Sequence, residues 1–303
     1  MQPWLTAAFS LFLACSVNGL DVVLNDTCAG QSDINEVANM IEEIDIKLDQ
    51  QSSQLDKVIE LLQGGSGGVG GSGQSRVSSC KELFNNGSMR QNGAYFLNLG
   101  SEIIRVYCHM EGTTQLEACG GGGWTLVMKI NGEKRTFHYD SILWTDKREY
   151  HPSSGNTLFD HQETKLPTYW STPFSKVCLA MNIGGQVKSI VIHKYANSLY
   201  SLIADGKYRP TSLGRNTWKR LIGEQASLQT NCNQEGFNSV TSSSKARIGI
   251  IGNNENDCKT CDSRIGFGTA GQHDDSNTCG NEAMYGGDNG VKHIKAMGYI
   301  LVK

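Results

Sequence analysis

The sequence predicts an α+β fold, loop-rich and disulfide-stabilised, preceded by a short coiled coil. Three observations lead there. Eight cysteines spread from Cys80 to Cys279 over a stretch where short β-type runs outnumber helical ones. Upstream, apolar residues recur at 3-4-3-4 spacing from Ile34 to Leu62. Between the two lies a Gly/Ser tract, residues 64–76, reading GGSGGVGGSGQSR.

In chain order, residues 1–19 read as a signal peptide. An apolar run over residues 5–17 is too short for the ~20 residues that a spanning helix needs. Cleavage is expected after Gly19, with Ser16 as the other choice. The leader has no Lys or Arg near its start, a departure from the usual pattern. No later stretch is apolar enough to span a membrane. Ten cysteines in 303 residues suit an oxidising compartment. A net charge of −3 without a basic patch argues against nucleic acid as a partner. Two Asn-x-Ser/Thr sequons, at Asn25 and Asn86, fit the secretory route as glycosylation sites.

Residues 20–32 hold Cys28, and residues 33–63 hold the coiled coil. Its heptad positions are Ile34, Val37, Ile41, Ile44, Leu48, Gln51, Leu55, Val58 and Leu62. Asp33 and Glu36 resemble a capping box, and Gly64-Gly65 end the helix. β-Branched residues at three of the four d positions favour a homotrimer or homotetramer, with Gln51 fixing register. The other reading of this stripe is a helix docked on its own domain. Cys28, just before the zipper, is placed for an interchain disulfide. Residues 20–63 carry ten acidic and two basic side chains, −8, which leaves +5 for residues 64–303 of the overall −3.

The tract at 64–76 is a flexible linker. Its formal matches to G-x-S-x-G and G-x-G-x-x-G follow no strand, so they build neither a nucleophile elbow nor a phosphate turn. Residues 77–303 form one domain. Strands are expected at Ala94–Leu97, Ile103–Met110, Trp124–Ile130, Ser189–Tyr195, Arg247–Ile251 and Ala296–Val302, and a helix at Thr217–Glu224.

Four runs then occur in fixed order: Cys80-Lys81-Glu82, Gly93-Ala94-Tyr95-Phe96-Leu97, Val106-Tyr107-Cys108-His109-Met110 and Gly121-Gly122-Gly123-Trp124-Thr125-Leu126-Val127. This order resembles the opening of fibrinogen C-terminal-like globular domains, and the GGGGWTLV run resembles their intelectin branch. Signal, coil, tether and head together are similar to the layout of ficolins and angiopoietins. The wording, including Gly266-Phe267-Gly268 through Met297-Gly298-Tyr299, most resembles the fibrinogen-like skeletal organic matrix proteins of stony corals. The long acidic and aromatic stretch usual in vertebrate members is missing. The resemblance implies a Cys80–Cys108 disulfide, with strands carrying each cysteine side by side and loop closure worth ~3 kcal/mol. It also implies that the Gly tract lets backbone pass close to other chain before the Trp124 strand begins.

The resemblance further implies a Ca²⁺ loop ahead of a cysteine, which maps onto Gly271–Cys279 with Asp274, Asp275 and Asn277 as oxygen ligands. Asn277 stands where the family has a second Asp, which lowers ligand charge. The plain alternative is a solvated acidic turn. Glu282 with Asp288-Asn289 forms a second acidic patch. The remaining cysteines, Cys119, Cys178, Cys232, Cys258, Cys261 and Cys279, are expected in disulfides, with fifteen pairings open. Zinc on Cys258 and Cys261, completed by Cys279 and His273, is the less favoured use. Gly266-x-Gly268-x-x-Gly271 precedes QHDDSN rather than a helix and is set aside as a dinucleotide site. Trp144, Tyr169, Trp170 and Trp218 either line a sugar groove or fill the core.

No Ser/His/Asp grouping has diagnostic spacing, so no catalytic residues are expected and the protein reads as a non-enzyme. The expectation is a secreted extracellular matrix protein of a biomineral, binding glycan or matrix through its heads. The alternatives are a calcium-dependent lectin of innate immunity and, behind it, a secreted hydrolase.

Overall fold

The computed structural model describes residues 77–303 apart from Ser88, two strands at Ala14–Val17 and Leu20–Val23, and the single positions Val37, Met40, Ile44, Lys47, Gln51 and Gln54. The rest of the expected leader, Asn25, Cys28, the linker 64–76 and the other heptad positions lie outside the described residues. The chain divides into two units, Met1–Gln51 and Ser52–Lys303.

In the first unit, β1 (Ala14–Val17) pairs antiparallel with β2 (Leu20–Val23), from Ala14 opposite Val23 to Val17 opposite Leu20. This hairpin straddles the expected cleavage point, so cutting there would part its strands. Val37, Met40, Ile44, Lys47 and Gln51 are helical and exposed, as is Gln54 in the second unit.

The second unit is mostly β-sheet with a few short helices. One antiparallel sheet holds β3 (Gly93–Asn98), β4 (Ile103–His109), β5 (Trp124–Asn131), β7 (Phe174–Ile183), β8 (Gln186–Ala196) and β15 (Met297–Val302). Their order is β3-β4-β5-β15-β7-β8, with the two-residue β6 (Thr164–Lys165) also on β5. The other sheet runs β14-β13-β12-β11-β10-β9. Its strands are β9 (Arg209–Pro210), β10 (Asn231–Val240), β11 (Ser244–Asn253), β12 (Ser263–Gly271), β13 (Cys279–Ala283) and β14 (Lys292–Lys295). The short helices are α1 (Cys80–Asn85), α2 (Thr168–Ser171), α3 (Leu199–Ile203) and α4 (Arg215–Arg220).

The first sheet is covered on both faces, which is why its central strands read as unbroken apolar runs. Along β15, Ile300 and Val302 join one core cluster with Phe237, Ile248 and Phe267, while Tyr299 and Leu301 join a second with Leu97, Val106 and Trp124. Burial on both faces also traps two lysines. Lys129 and Lys165 are fully buried, and their ammonium groups reach Asp160 at 2.7 Å and Asp146 at 2.8 Å.

Three disulfides join Cys80 to Cys108, Cys119 to Cys178 and Cys232 to Cys258. Two expectations need correction. Cys80 sits in α1 rather than on a strand: Ser79 caps that helix, accepting from Glu82 N, and Glu82 reaches back to Ser78 N at 2.7 Å. Cys261 and Cys279 are free thiols, both fully buried. Cys261 lies beside Thr241, whereas Cys279 is opposite Phe267 in the β12–β13 ladder, within the core between the sheets. The Gly tract does pass close to other chain. At Gly123, with φ at +83°, a Cβ would fall 2.4 Å from the Cys80 carbonyl oxygen.

Candidate functional site

The loop Gly271–Cys279 is held from beneath by Arg264 of β12, itself nearly fully buried. Its guanidinium donates to the carbonyls of Gln272, Gly271 and Asp274, an arrangement that fixes the loop backbone. Burial pushes the Arg264 pKa down to about 10.

The three residues expected to bind Ca²⁺ turn to different partners. Asp275 accepts from Arg135 at 2.9 Å, from the His138 ring at 3.0 Å and from Gly271 N at 2.9 Å. Desolvation acts upward on its pKa, but these bonds, with His138 foremost, hold it well below the usual carboxylate range. Asp274 accepts from Ser276 and faces the Lys295 ammonium at 3.5 Å. Asn277 is buried and turns inward, its amide donating to the carbonyls of Asn281 and Ile294. Calcium needs six to eight oxygens converging on one point. Here the two carboxylates are already matched by Arg135, His138 and Lys295, so the residues as arranged do not fit that ion. Among the described residues, no group of three or more His, Cys, Asp or Glu is placed to hold a metal.

The second acidic patch is dispersed as well. Glu282 is fully buried in contact with His293, and burial outweighs its polar partners to raise its pKa. Asp288 pairs with Arg215 and Lys219, each at 2.7 Å, and Asn289 donates to the Glu224 carbonyl. Cys258 is committed to its disulfide, which removes it as a zinc ligand. Asn86, the C-cap of α1, is exposed.

The aromatic candidates are core. Trp144, Tyr169 and Trp218 are fully buried with their polar atoms satisfied: Trp144 donates to the His138 carbonyl, Tyr169 to the Trp144 carbonyl and Trp218 to Glu235. Trp170 packs against the same cluster.

Two open depressions on the head were not legible from the sequence. The larger, about 760 Å³, lies between the 3₁₀ turn Thr114–Leu116, the start of β8 and α4. Gln115, Glu117, Lys188, Ser189, Asn216 and Arg220 are among its lining residues. Its wall is anchored by the Cys119–Cys178 disulfide and by Ala118 N donating to Ser189 Oγ at 3.2 Å. Gly223, with φ at +87°, leaves the seat of the Lys188 ammonium clear, since a Cβ there would fall 1.8 Å from Nζ. The smaller depression, about 530 Å³, is lined by Phe174, Tyr195, Asn197 and Ser201, with Tyr195 85% exposed. The signal that would have revealed either is spatial: residues over 100 positions apart in sequence meet at the larger one.

No protein-family model matches the chain, and no curated protein sequence is significantly similar to it.

Proposed function

We propose that this chain is a secreted, non-enzymatic extracellular matrix protein of a biomineral, oligomerised through its N-terminal helix and binding glycan or matrix polymer through fibrinogen-like heads. The observation that carries the reading is the state of the heptad positions. Val37, Ile44 and Gln51 are helical and recur every seven residues, the spacing that a coiled-coil seam requires. Val37 and Ile44 are 44% and 58% exposed within one chain, a cost that self-association removes. Repeating a weak head three or four times turns it into an avid binder. The acidic segment 20–63 gives the assembly a surface suited to calcium-rich mineral. Support for the fibrinogen-like reading comes from the bonded pair Cys80 and Cys108 and from the Gly123 approach to Cys80.

The test is light scattering and non-reducing electrophoresis on the secreted full chain. A trimer or tetramer that Val37→Lys/Ile44→Lys converts to monomer is expected, with Cys28→Ser removing the covalent link. A monomeric wild type would sink the avidity mechanism, and turnover of a glycosidase or esterase substrate, abolished by a point substitution, would replace the reading with a hydrolase.

A further inference from the structure

We infer that the larger depression, between the Thr114–Leu116 turn, β8 and α4, is the head's ligand site and takes an acidic saccharide, a sugar polymer bearing carboxylate or sulfate groups. The inference rests on the glycan-binding reading above and gives it a place and a ligand class.

The first argument is charge that has no internal use. α4 presents Arg215, Lys219 and Arg220. Asp288 pairs with the first two, both contacts at 2.7 Å, one carboxylate against two cations, so this trio is left with net positive charge, and Lys219 also lines the depression. Arg220 instead donates to Thr217 Oγ1 at 3.1 Å, and among the described residues no ion pair involves Arg220 or Lys188. Both cations line the depression, on a head whose residues 77–303 sum to +4.

A second argument is placement. Lys188 stands on β8, whose strand pairs with β7 from Gln186 to Ala196. Its ammonium seat is kept open by the missing side chain at Gly223. The facing wall is clamped by the Cys119–Cys178 bond. The two cations are therefore held on rigid elements, as a recognition site requires.

The third argument is the rest of the lining, which selects among anions. Gln115, Ser189 and Asn216 offer amides and a hydroxyl, while Glu117 and Glu224 offer carboxylates without an ion-pair partner among the described residues. Two carboxylates repel a bare polyanion such as nucleic acid. They accept hydrogen bonds from sugar hydroxyls, which are donors as well as acceptors. A polyol carrying separated negative groups satisfies both sets at once. About 760 Å³ is within the range of small-ligand clefts and admits a few sugar rings.

The experiment is calorimetric titration of the full-length protein with a heparin-derived hexasaccharide, an oligogalacturonate, an uncharged malto-oligosaccharide and inorganic sulfate. The acidic oligosaccharides are expected to bind, and the neutral one and sulfate to bind far more weakly. Lys188→Ser and Arg220→Ser should each lower affinity about tenfold. Lys188→Arg should restore most of it, which separates lost charge from lost fold, and Tyr195→Ala in the smaller depression should change nothing. Acidic binding that survives Lys188→Ser/Arg220→Ser, or sulfate binding as tightly as the hexasaccharide, overturns the site while leaving the matrix reading standing. Neutral sugar bound through Tyr195 overturns the ligand class in the same way. Absence of any saccharide binding by an intact oligomer overturns both.

Discussion

Trp218 of α4 donates its indole N–H to Glu235 of β10 at 2.8 Å, and the same carboxylate accepts from Thr211 Oγ1, Leu213 N and Gly214 N at 2.7, 3.0 and 2.8 Å. One side chain thus ties the start of α4 to the second sheet. Burial alone would raise its pKa, yet these four donors keep it below the ordinary carboxylate value. A lowered native pKa stabilises the fold above the unfolded carboxylate pKa, and that contribution is lost as pH falls below about 4.5. Glu235→Ala strands the donors and should cost about 2–3 kcal/mol in urea unfolding at pH 7. Because α4 carries Arg220, the variant should also weaken acidic-saccharide binding. Unchanged stability would show that the carboxylate is not the tie.

His109 gives the head an acid-sensitive point. The ring is fully buried with neither nitrogen hydrogen-bonded, and burial, aided by the nearby Lys303 ammonium, lowers its pKa to about 4. Protons therefore bind the unfolded chain first. Stability is complete above about pH 6.5 and is lost as pH falls toward 4, by up to about 3 kcal/mol. His109→Leu should flatten that part of the stability–pH profile. An unaltered profile would assign the loss to the carboxylates.

The Lys129–Asp160 pair, a fully buried lysine with a half-buried aspartate, should respond asymmetrically. Asp160→Asn leaves a fully buried ammonium without its counter-charge and should cost about 3–5 kcal/mol, whereas Lys129→Met with Asp160→Asn should be far milder. Equal losses in chemical denaturation would refute this division.

Cysteine chemistry offers a direct count. Burial pushes the Cys261 thiol up to about 11 and the Cys279 thiol higher still. Iodoacetamide at pH 8 should spare both in the native head and label both after unfolding without reductant, as read by peptide mass spectrometry. Labelling of Cys232 or Cys258 under the latter condition would contradict the connectivity. Removing Cys119–Cys178, whose partners are 59 residues apart, should cost about 4 kcal/mol.

Calcium supplies the remaining test. With Asp275 held by Arg135 and His138, millimolar Ca²⁺ should leave the melting temperature unchanged, and Asp275→Ala should lower it by a few degrees with or without the ion. A calcium-dependent rise in the wild type, absent in Asp275→Ala, would show that the loop opens to the metal.

Strands with unbroken apolar or alternating runs, such as β5 and β15, are legible in the sequence because packing alone makes them. β10, reading NCNQEGFNSV, is not, since its order comes from pairing with β11 and β9 rather than from its own residues. The helix expected at Thr217–Glu224 lies at Arg215–Arg220, where Glu235 anchors its entry and the turn into Gly223 ends it. Cysteine spacing could not distinguish a bond from a buried thiol, because Cys261 and Cys279 differ from the others only in what the tertiary fold sets beside them. The partners of the Gly271–Cys279 acids were hidden for a related reason. Spacing showed the acids, but the side chains that meet them come from residues 135, 138 and 295.

β15 sits between β5 and β7, so it is the seam that joins β3–β5 to β7–β8. It is also the latest strand in the sequence. During synthesis two half-sheets, each with an unpaired edge, must wait through more than a hundred further residues before the joining strand emerges. Loss of residues 297–302 would leave β5 and β7 each with an unpaired edge in the middle of the sheet, so the two halves could not close on one another.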